Sequence, residues 1–261
     1  MTTLPTPTGG FRRAIEVIGA LTRSDLKVRY GRGRLSTVKW LLDPFAAVGI
    51  YLLLVAFVLD RPGHAVGLSI ACAVVPFQLV MMTIINALRA VDLRRSVVNN
   101  MAFDKSLIPV ASMFTEIVGF SACFVLLALL MITYGITPTW WILMLPLVVL
   151  VTMFLATACA FPAAVIGLWA PELTPFVMSA ARATYFLAPG LVALDNIYGH
   201  THDLVILNPL TGLFEGFRDT LLYGQAPQWW ELVYPAAFAA LLIAAIYPLW
   251  RRDAPHFAKV L

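Results

Sequence analysis

Six stretches of this chain are predominantly apolar, at 40–59, 66–88, 107–134, 140–168, 174–194 and 231–250. A transmembrane helix needs ~20 mostly apolar residues to cross the hydrocarbon core, so each stretch reads as one span. The predicted fold is an all-α polytopic membrane protein with six transmembrane helices. Composition agrees: 61% of residues are apolar and 12% charged, against roughly 45–50% apolar in a soluble domain. Met1 to Gly10 is polar and Pro-rich, with no cleavable signal peptide visible, so the mature protein is expected to keep its N-terminus.

Orientation follows from Lys and Arg near the span ends. Arg12, Arg13, Arg23, Lys27, Arg29, Arg32, Arg34 and Lys39 precede the first span, Arg89, Arg94, Arg95 and Lys105 lie between the second and third, and Arg251, Arg252 and Lys259 follow the sixth. Fifteen of the eighteen basic residues therefore fall on one side, which predicts a multi-pass membrane protein with both termini cytoplasmic. The net charge of +4 expresses that asymmetry and implies no nucleic-acid binding.

Cys72, Cys123 and Cys159 sit inside apolar spans at no metal-ligand spacing and read as packing residues. His200 and His202 have only Asp195 and Asp203 nearby, so a solvated loop is the reading and no metal is expected. The chain has no G-x-x-x-x-G-K-[ST] loop, no H-E-x-x-H, no G-x-S-x-G and no paired carboxylates within a span. No catalytic residue, no ATP hydrolysis and no cofactor are expected of this chain.

Residues 11–29 form an amphipathic helix on a wheel of 100° per residue. Phe11, Ala14, Ile15, Val17, Ile18, Leu21, Leu26 and Val28 share one half, while Arg12, Arg13, Glu16, Arg23 and Lys27 share the other. A strong moment with a cationic polar face is the pattern of an interfacial helix. Asp25 and Arg29 fall on the apolar half, four positions apart, where pairing with each other would make their burial tolerable. Two readings stand: a simple membrane anchor, or a gate helix whose cations meet a lipid phosphate. In Tyr30-Gly-Arg-Gly-Arg34 the glycine is expected to break the helix.

Residues 90–106 make a long cytoplasmic connection carrying Asp92, Arg94, Arg95, Asn99, Asn100, Phe103, Asp104 and Lys105. It is either a short helix offered to a cytoplasmic partner or an ordinary loop. Glu116 and Arg182 are the two charges deepest in the spans, at similar depth, which predicts an intramembrane ion pair; snorkelling of Arg182 to the headgroups is the alternative. Between spans five and six, residues 195–228 hold two mildly apolar pieces broken at Asn208-Pro209 and closed by Tyr223-Gly224. Both are too short to cross, and a re-entrant external helical segment suits them. Asp203, Glu215, Arg218 and Asp219 are its expected polar groups at a mouth open to water. Trp140, Trp141, Tyr198, Tyr223, Trp229 and Trp230 suit an interfacial aromatic belt, while Tyr51, Phe57, Tyr185 and Phe186, within spans, are candidates to line a channel by stacking on sugar rings.

With these residues in place, Arg23-Ser-Asp25-Leu-Lys27-Val-Arg29-Tyr30 and Trp40-Leu-Leu-Asp43-Pro44 resemble the gate helix and first span of permeases in type 2 ABC exporters. More narrowly they resemble the Wzm-like branch that exports O-antigens, teichoic acids and related polysaccharides. Phe103-Asp-Lys-Ser-Leu-Ile-Pro109 is similar to that family's coupling helix, Asn208-Pro-Leu-Thr-Gly-Leu-Phe-Glu-Gly-Phe-Arg218 to its re-entrant external segment, and Pro255-His-Phe-Ala-Lys-Val-Leu261 to its tail. The resemblance runs over essentially all of 1–261, as a single transmembrane domain with a gate helix at 11–35. The departures are Asp104, where proline is usual, and Trp169-Ala-Pro-Glu172, in place of an aromatic-Arg-Asp turn.

The resemblance implies a homodimer flanked by two copies of a separate ATPase, which would bind the ATP and magnesium. It implies a polyprenyl-diphosphate-linked glycan as cargo, its head meeting Arg23, Lys27, Arg29, Arg32 or Arg34 beside Asp25. It places ATPase coupling on Arg94, Arg95, Asn99, Phe103, Asp104 and Lys105, and an external gate on Asn208, Pro209, Glu215 and Arg218. Arg outnumbers Lys fourteen to four, which hints at a GC-rich genome and makes an actinobacterial cell-wall galactan one candidate cargo. An ABC permease for drugs or simple lipids, and a membrane-embedded transferase, are the competing readings.

Overall fold

The computed structural model describes residues 10–31, 38, 39, 42, 45, 46, 48–50, 65–94, 104–190, 193, 194, 197 and 199–253. All regular structure among them is helical. The elements are α1 (Gly10–Tyr30), α2 (Val66–Leu93), α3 (Leu107–Thr133), a 3-10 turn at Trp140–Met144 leading into α4 (Leu145–Trp169), α5 (Thr174–Leu187), α6 (His200–Ile206), α7 (Pro209–Arg218) and α8 (Trp229–Asp253). Val38, Lys39, Leu42, Phe45, Ala46 and Val48 to Ile50 are helical as well.

Four helices among the described residues are long and apolar enough to cross a membrane: α2, α3, the Trp140–Trp169 unit and α8. They match the second, third, fourth and sixth predicted spans. Most of the first lies outside the described residues. The fifth is a correction: α5 has 14 residues, about 21 Å at 1.5 Å per residue, short of the ~30 Å hydrocarbon core. Ala188-Pro189-Gly190 ends it, because Pro189 has no amide to continue the ladder and the chain at Gly190 folds back onto Tyr185. A Cβ at Gly190 would stand 2.6 Å from the Tyr185 ring. The gate helix is likewise shorter than 11–35, ending at Tyr30 as Gly31 turns to φ +79°. α2 runs on to Leu93, so Asp92 is helical rather than part of a loop.

α2 is the central helix, packed against α3, α4, α5 and α7, with α8 on the far side of α4 and α1 along α3. Its buried face of Leu68, Ile70, Ala71, Val74, Val75 and Leu79 interlocks with Leu155, Ala156 and Phe217 in the main core. A second cluster, built on Leu88, Ile108, Ala164, Leu168 and Trp250, closes the end of the bundle that carries α1 and the last turn of α8. Phe161 meets the Trp250 ring edge-on at 5.6 Å there. Small residues set the spacing, as in membrane helix packing generally. A Cβ at Gly167 of α4 would lie 1.8 Å from the Leu88 carbonyl oxygen of α2, so only glycine permits that approach.

Gly167→Ala must therefore separate two backbones, and overpacking of this kind costs about 1–3 kcal/mol. Its midpoint of thermal unfolding in detergent micelles is expected to fall. Gly19→Ala, with nothing within 4 Å of the new methyl, is expected to hold or raise it by helix propensity.

Candidate functional site

The inward face of α1 carries two charges into the bundle, and each finds a partner far away in sequence. Asp25 accepts a hydrogen bond from Arg94 Nη2, just past the end of α2, and lies 3.2 Å from Thr115 Oγ1 on α3. One turn on, Arg29 Nη1 donates to both carboxylate oxygens of Glu116, at 2.7 and 2.8 Å. Asn86 Nδ2 of α2 donates to Glu116 as well. α1 is thus fastened by polar contacts to both neighbouring helices. Tyr30 completes the seam: its hydroxyl stands 3.2 Å from where a Gly119 Cβ would be, so glycine admits the ring against α3.

Two sequence readings are corrected here. Glu116 does not pair with Arg182, because α5 packs on α2 and α4 while α3 turns its acidic position toward α1. Matched depth fixes the height of two residues and leaves open the direction in which they face. Arg182 is exposed on α5. Asp25 and Arg29 do not pair with each other either, since each has a buried partner across a helix interface. Glu116 is only 4% exposed, and a carboxylate so buried must be paired or neutralised.

The expected diphosphate-binding cations consequently divide. Arg29 is engaged by Glu116 and stacks over Tyr30 at 5.4 Å. Arg23 and Lys27 are exposed, one turn apart on the outer face of α1. Arg32 and Arg34 lie outside the described residues. Arg12 pairs with Glu16 at 3.3 Å on the surface, a contact of little energetic weight.

The coupling set divides too. Arg94 is buried, facing Asp25 rather than a cytoplasmic partner. Asp104 is exposed and receives the Ser106 amide at 2.9 Å, which shapes the turn opening α3; Lys105 is half-buried beside it. Arg95, Asn99 and Phe103 are outside the described residues, as are Tyr51 and Phe57. Tyr185 is fully buried, its hydroxyl donating to the Gly190 carbonyl at 3.2 Å and its ring 4.8 Å from Phe77. It is a core residue, which corrects its reading as a channel wall. Phe186 is exposed.

At the opposite end, Asn208 caps α7 by accepting the Leu210 amide at 3.0 Å, with Pro209 in the first turn. Its Nδ2 also donates to the Thr184 carbonyl of α5 at 2.8 Å. Arg218 is 0% exposed and binds Glu215 at 2.6 Å, the Ser69 hydroxyl and carbonyl, and the carbonyls of Pro189 and Gly190. Glu215 also receives the Leu194 amide at 2.9 Å. Glu215 and Arg218 therefore staple α7 to α2 and the end of α5, while Asp219, buried as well, receives Gln225 Nε2 at 2.8 Å. They do not face a water-filled mouth, because stranded carbonyls after Pro189 need donors and Arg218 supplies them. Of the four polar groups expected there, Asp203 alone is exposed. No cluster of metal ligands occurs among the described residues.

Ser69, Asn86 and Thr115 escaped the sequence reading. The available signal was polar residues inside apolar runs, with Thr115-Glu116 adjacent in α3 and Asn86 thirty positions before Glu116.

Comparison with known proteins adds an independent observation. The chain is 22% identical over 242 residues to the O-antigen export system permease protein RfbA of Myxococcus xanthus, covering 92% of this chain and 93% of that one. It is 22% identical over 250 residues to the protein of the same name from Klebsiella pneumoniae, covering 94% and 95%. The chain is similar over nearly its whole length to these O-antigen export permeases. Similarity running from end to end places the type 2 ABC permease resemblance on the whole chain rather than on one motif. No protein-family profile matches it.

The α1 seam is the natural place to test first. Arg29→Met leaves Glu116 buried with Asn86 and is expected to cost about 2–3 kcal/mol, less than a fully buried break because Arg29 is partly exposed. Adding Glu116→Leu is expected to recover much of that in thermal unfolding. A double variant less stable than either single one would contradict the pairing.

Proposed function

We propose that the chain is the membrane-spanning subunit of an ATP-driven exporter that moves a polyprenyl-diphosphate-linked polysaccharide across the bacterial cytoplasmic membrane for envelope assembly. Its end-to-end similarity to O-antigen export permeases supports the class. The observation that carries the substrate reading is the division of charge on α1. Asp25 and Arg29 are paired across the helix interfaces with Arg94 and Glu116, while Arg23 and Lys27 remain exposed on the outer face. A lipid diphosphate in the adjacent leaflet meets those two first, and charge-assisted hydrogen bonds from cations to phosphate oxygens are the strong ones.

Energy must come from a partner, because the sequence carries no phosphate-binding loop of its own. Two copies of a separate nucleotide-binding ATPase, holding ATP and magnesium, fill that role and dock against the segment between α2 and α3. A second copy of the chain completes the conduit. Arg182 and Phe186 on the exposed side of α5 support this, since an arginine facing lipid near a helix centre costs about 2.5–3.5 kcal/mol on insertion scales. Facing a second copy or a polar conduit removes that cost.

The test uses the complete complex in proteoliposomes, with undecaprenyl diphosphate as the probe. Arg23→Ala with Lys27→Ala is expected to raise the concentration needed for half-maximal ATPase stimulation at least tenfold, with unfolding temperature unchanged. Each charged hydrogen bond is worth about 1.5–3 kcal/mol. Stimulation identical to the parent complex would remove α1 as the phosphate site.

A further inference from the structure

One carboxylate oxygen joins three helices. Asp25 Oδ2 of α1 accepts Arg94 Nη2 at the end of α2, and Thr115 of α3 shares its hydroxyl between that oxygen and the Ala111 carbonyl of its own helix. α2 and α3 are the two helices on either side of the segment assigned above to ATPase docking. Arg94, which leads into that segment, and Thr115, about two turns into the helix that follows it, are therefore tied to a single atom of the helix that displays Arg23 and Lys27.

Arg94 is unusual in its own surroundings. It is 6% exposed, and its Nε and Nη1 are buried without a hydrogen-bond partner among the described residues. A guanidinium has five N–H donors in a fixed fork, and burial makes each interaction it does form count for more. Asp25 supplies the countercharge, so α1 cannot leave the end of α2 without stranding a buried cation. The burial of Arg94 and its direction toward α1 also argue against its being displayed to the ATPase itself. One turn beyond, Arg29 and Glu116 hold α1 to the body of α3. Asp25 is thus the point of attachment next to the docking segment, and Arg29 the point of attachment deeper along the bundle.

We propose that Arg94 is a positioning residue of the transport cycle: through Asp25 it makes α1 follow displacements of the segment between α2 and α3. Movement imposed there by the ATPase reaches Arg23 and Lys27 as a tilt of α1 about the Arg29–Glu116 contact. This inference rests on the exporter reading and adds to it the link between its energy source and its lipid-facing helix.

The experiment takes the complete complex in proteoliposomes and compares Arg94→Gln, Asp25→Asn and the charge-reversed pair Asp25→Arg with Arg94→Asp. Both single variants are expected to retain the ATPase on purification and basal hydrolysis within about twofold. Their stimulation by undecaprenyl diphosphate is expected to fall about tenfold, and the reversed pair to regain at least half. A packing role alone would lower basal and stimulated rates together and would not respond to charge reversal. Full stimulation in either single variant, loss of the bound ATPase, or a reversed pair without recovery would each overturn the linkage. A parent complex without any stimulation would overturn the exporter reading, and the linkage with it.

Discussion

Two charges that the bundle takes out of water, Glu116 and Arg94, dictate how this protein is assembled at its basic end. An unpaired charge in a low-dielectric interior costs several kcal/mol, so each must bring a countercharge with it. Asp25 draws in Arg94 from the end of α2, and Glu116 draws in Arg29 from α1, with Thr115 and Asn86 adding a second donor to Asp25 Oδ2 and Glu116 Oε1. The contacts are non-local, spanning 69 to 90 residues of chain. They fix an amphipathic helix that hydrophobic packing alone would leave free to slide, since Ile15 and Val28 of its apolar half are more than half exposed.

The same pairing sorts the basic residues by task. Arg29 and Arg94 carry buried countercharge, while Arg23 and Lys27 face outward one turn apart. At the other end Arg218 plays the corresponding part for backbone, joining the Ser69 carbonyl of α2 to the Pro189 and Gly190 carbonyls beyond the broken end of α5. One end stapled by Arg218 and the basic end tied through Asp25 leave α1, with its exposed cations, as the element joined to the core by a few polar contacts.

Much of the architecture was legible from hydropathy. The extents of α2, α3, α4 and α8 follow the apolar runs, because a helix that faces lipid or core is apolar on all sides. Gly31 and Asn208-Pro209 were readable as a break and a cap from local backbone chemistry. The fifth span was overextended because 188–194 stays apolar although Pro189 and Gly190 interrupt the helix. The partners of Asp25 and Glu116 were not readable: periodicity along one helix places both on inward faces but carries no information about which neighbour stands opposite. Depth matching suggested Arg182 for Glu116, and only the packing of α1 along α3 shows Arg29 to be nearer. The buried positions of Tyr185, Glu215 and Arg218 were missed for the same reason, since an aromatic or a charge looks alike in sequence whether it lines water or seals a core.

Whether this chain works as the membrane half of a glycolipid exporter is decided most directly by what it holds in its own membrane. A tagged copy extracted in mild detergent is expected to bring with it a nucleotide-binding ATPase in equal amount and a diphosphate-linked glycan, both identified by mass spectrometry. Recovery of the chain without an ATPase, with transferase turnover by the purified protein, would contradict the account.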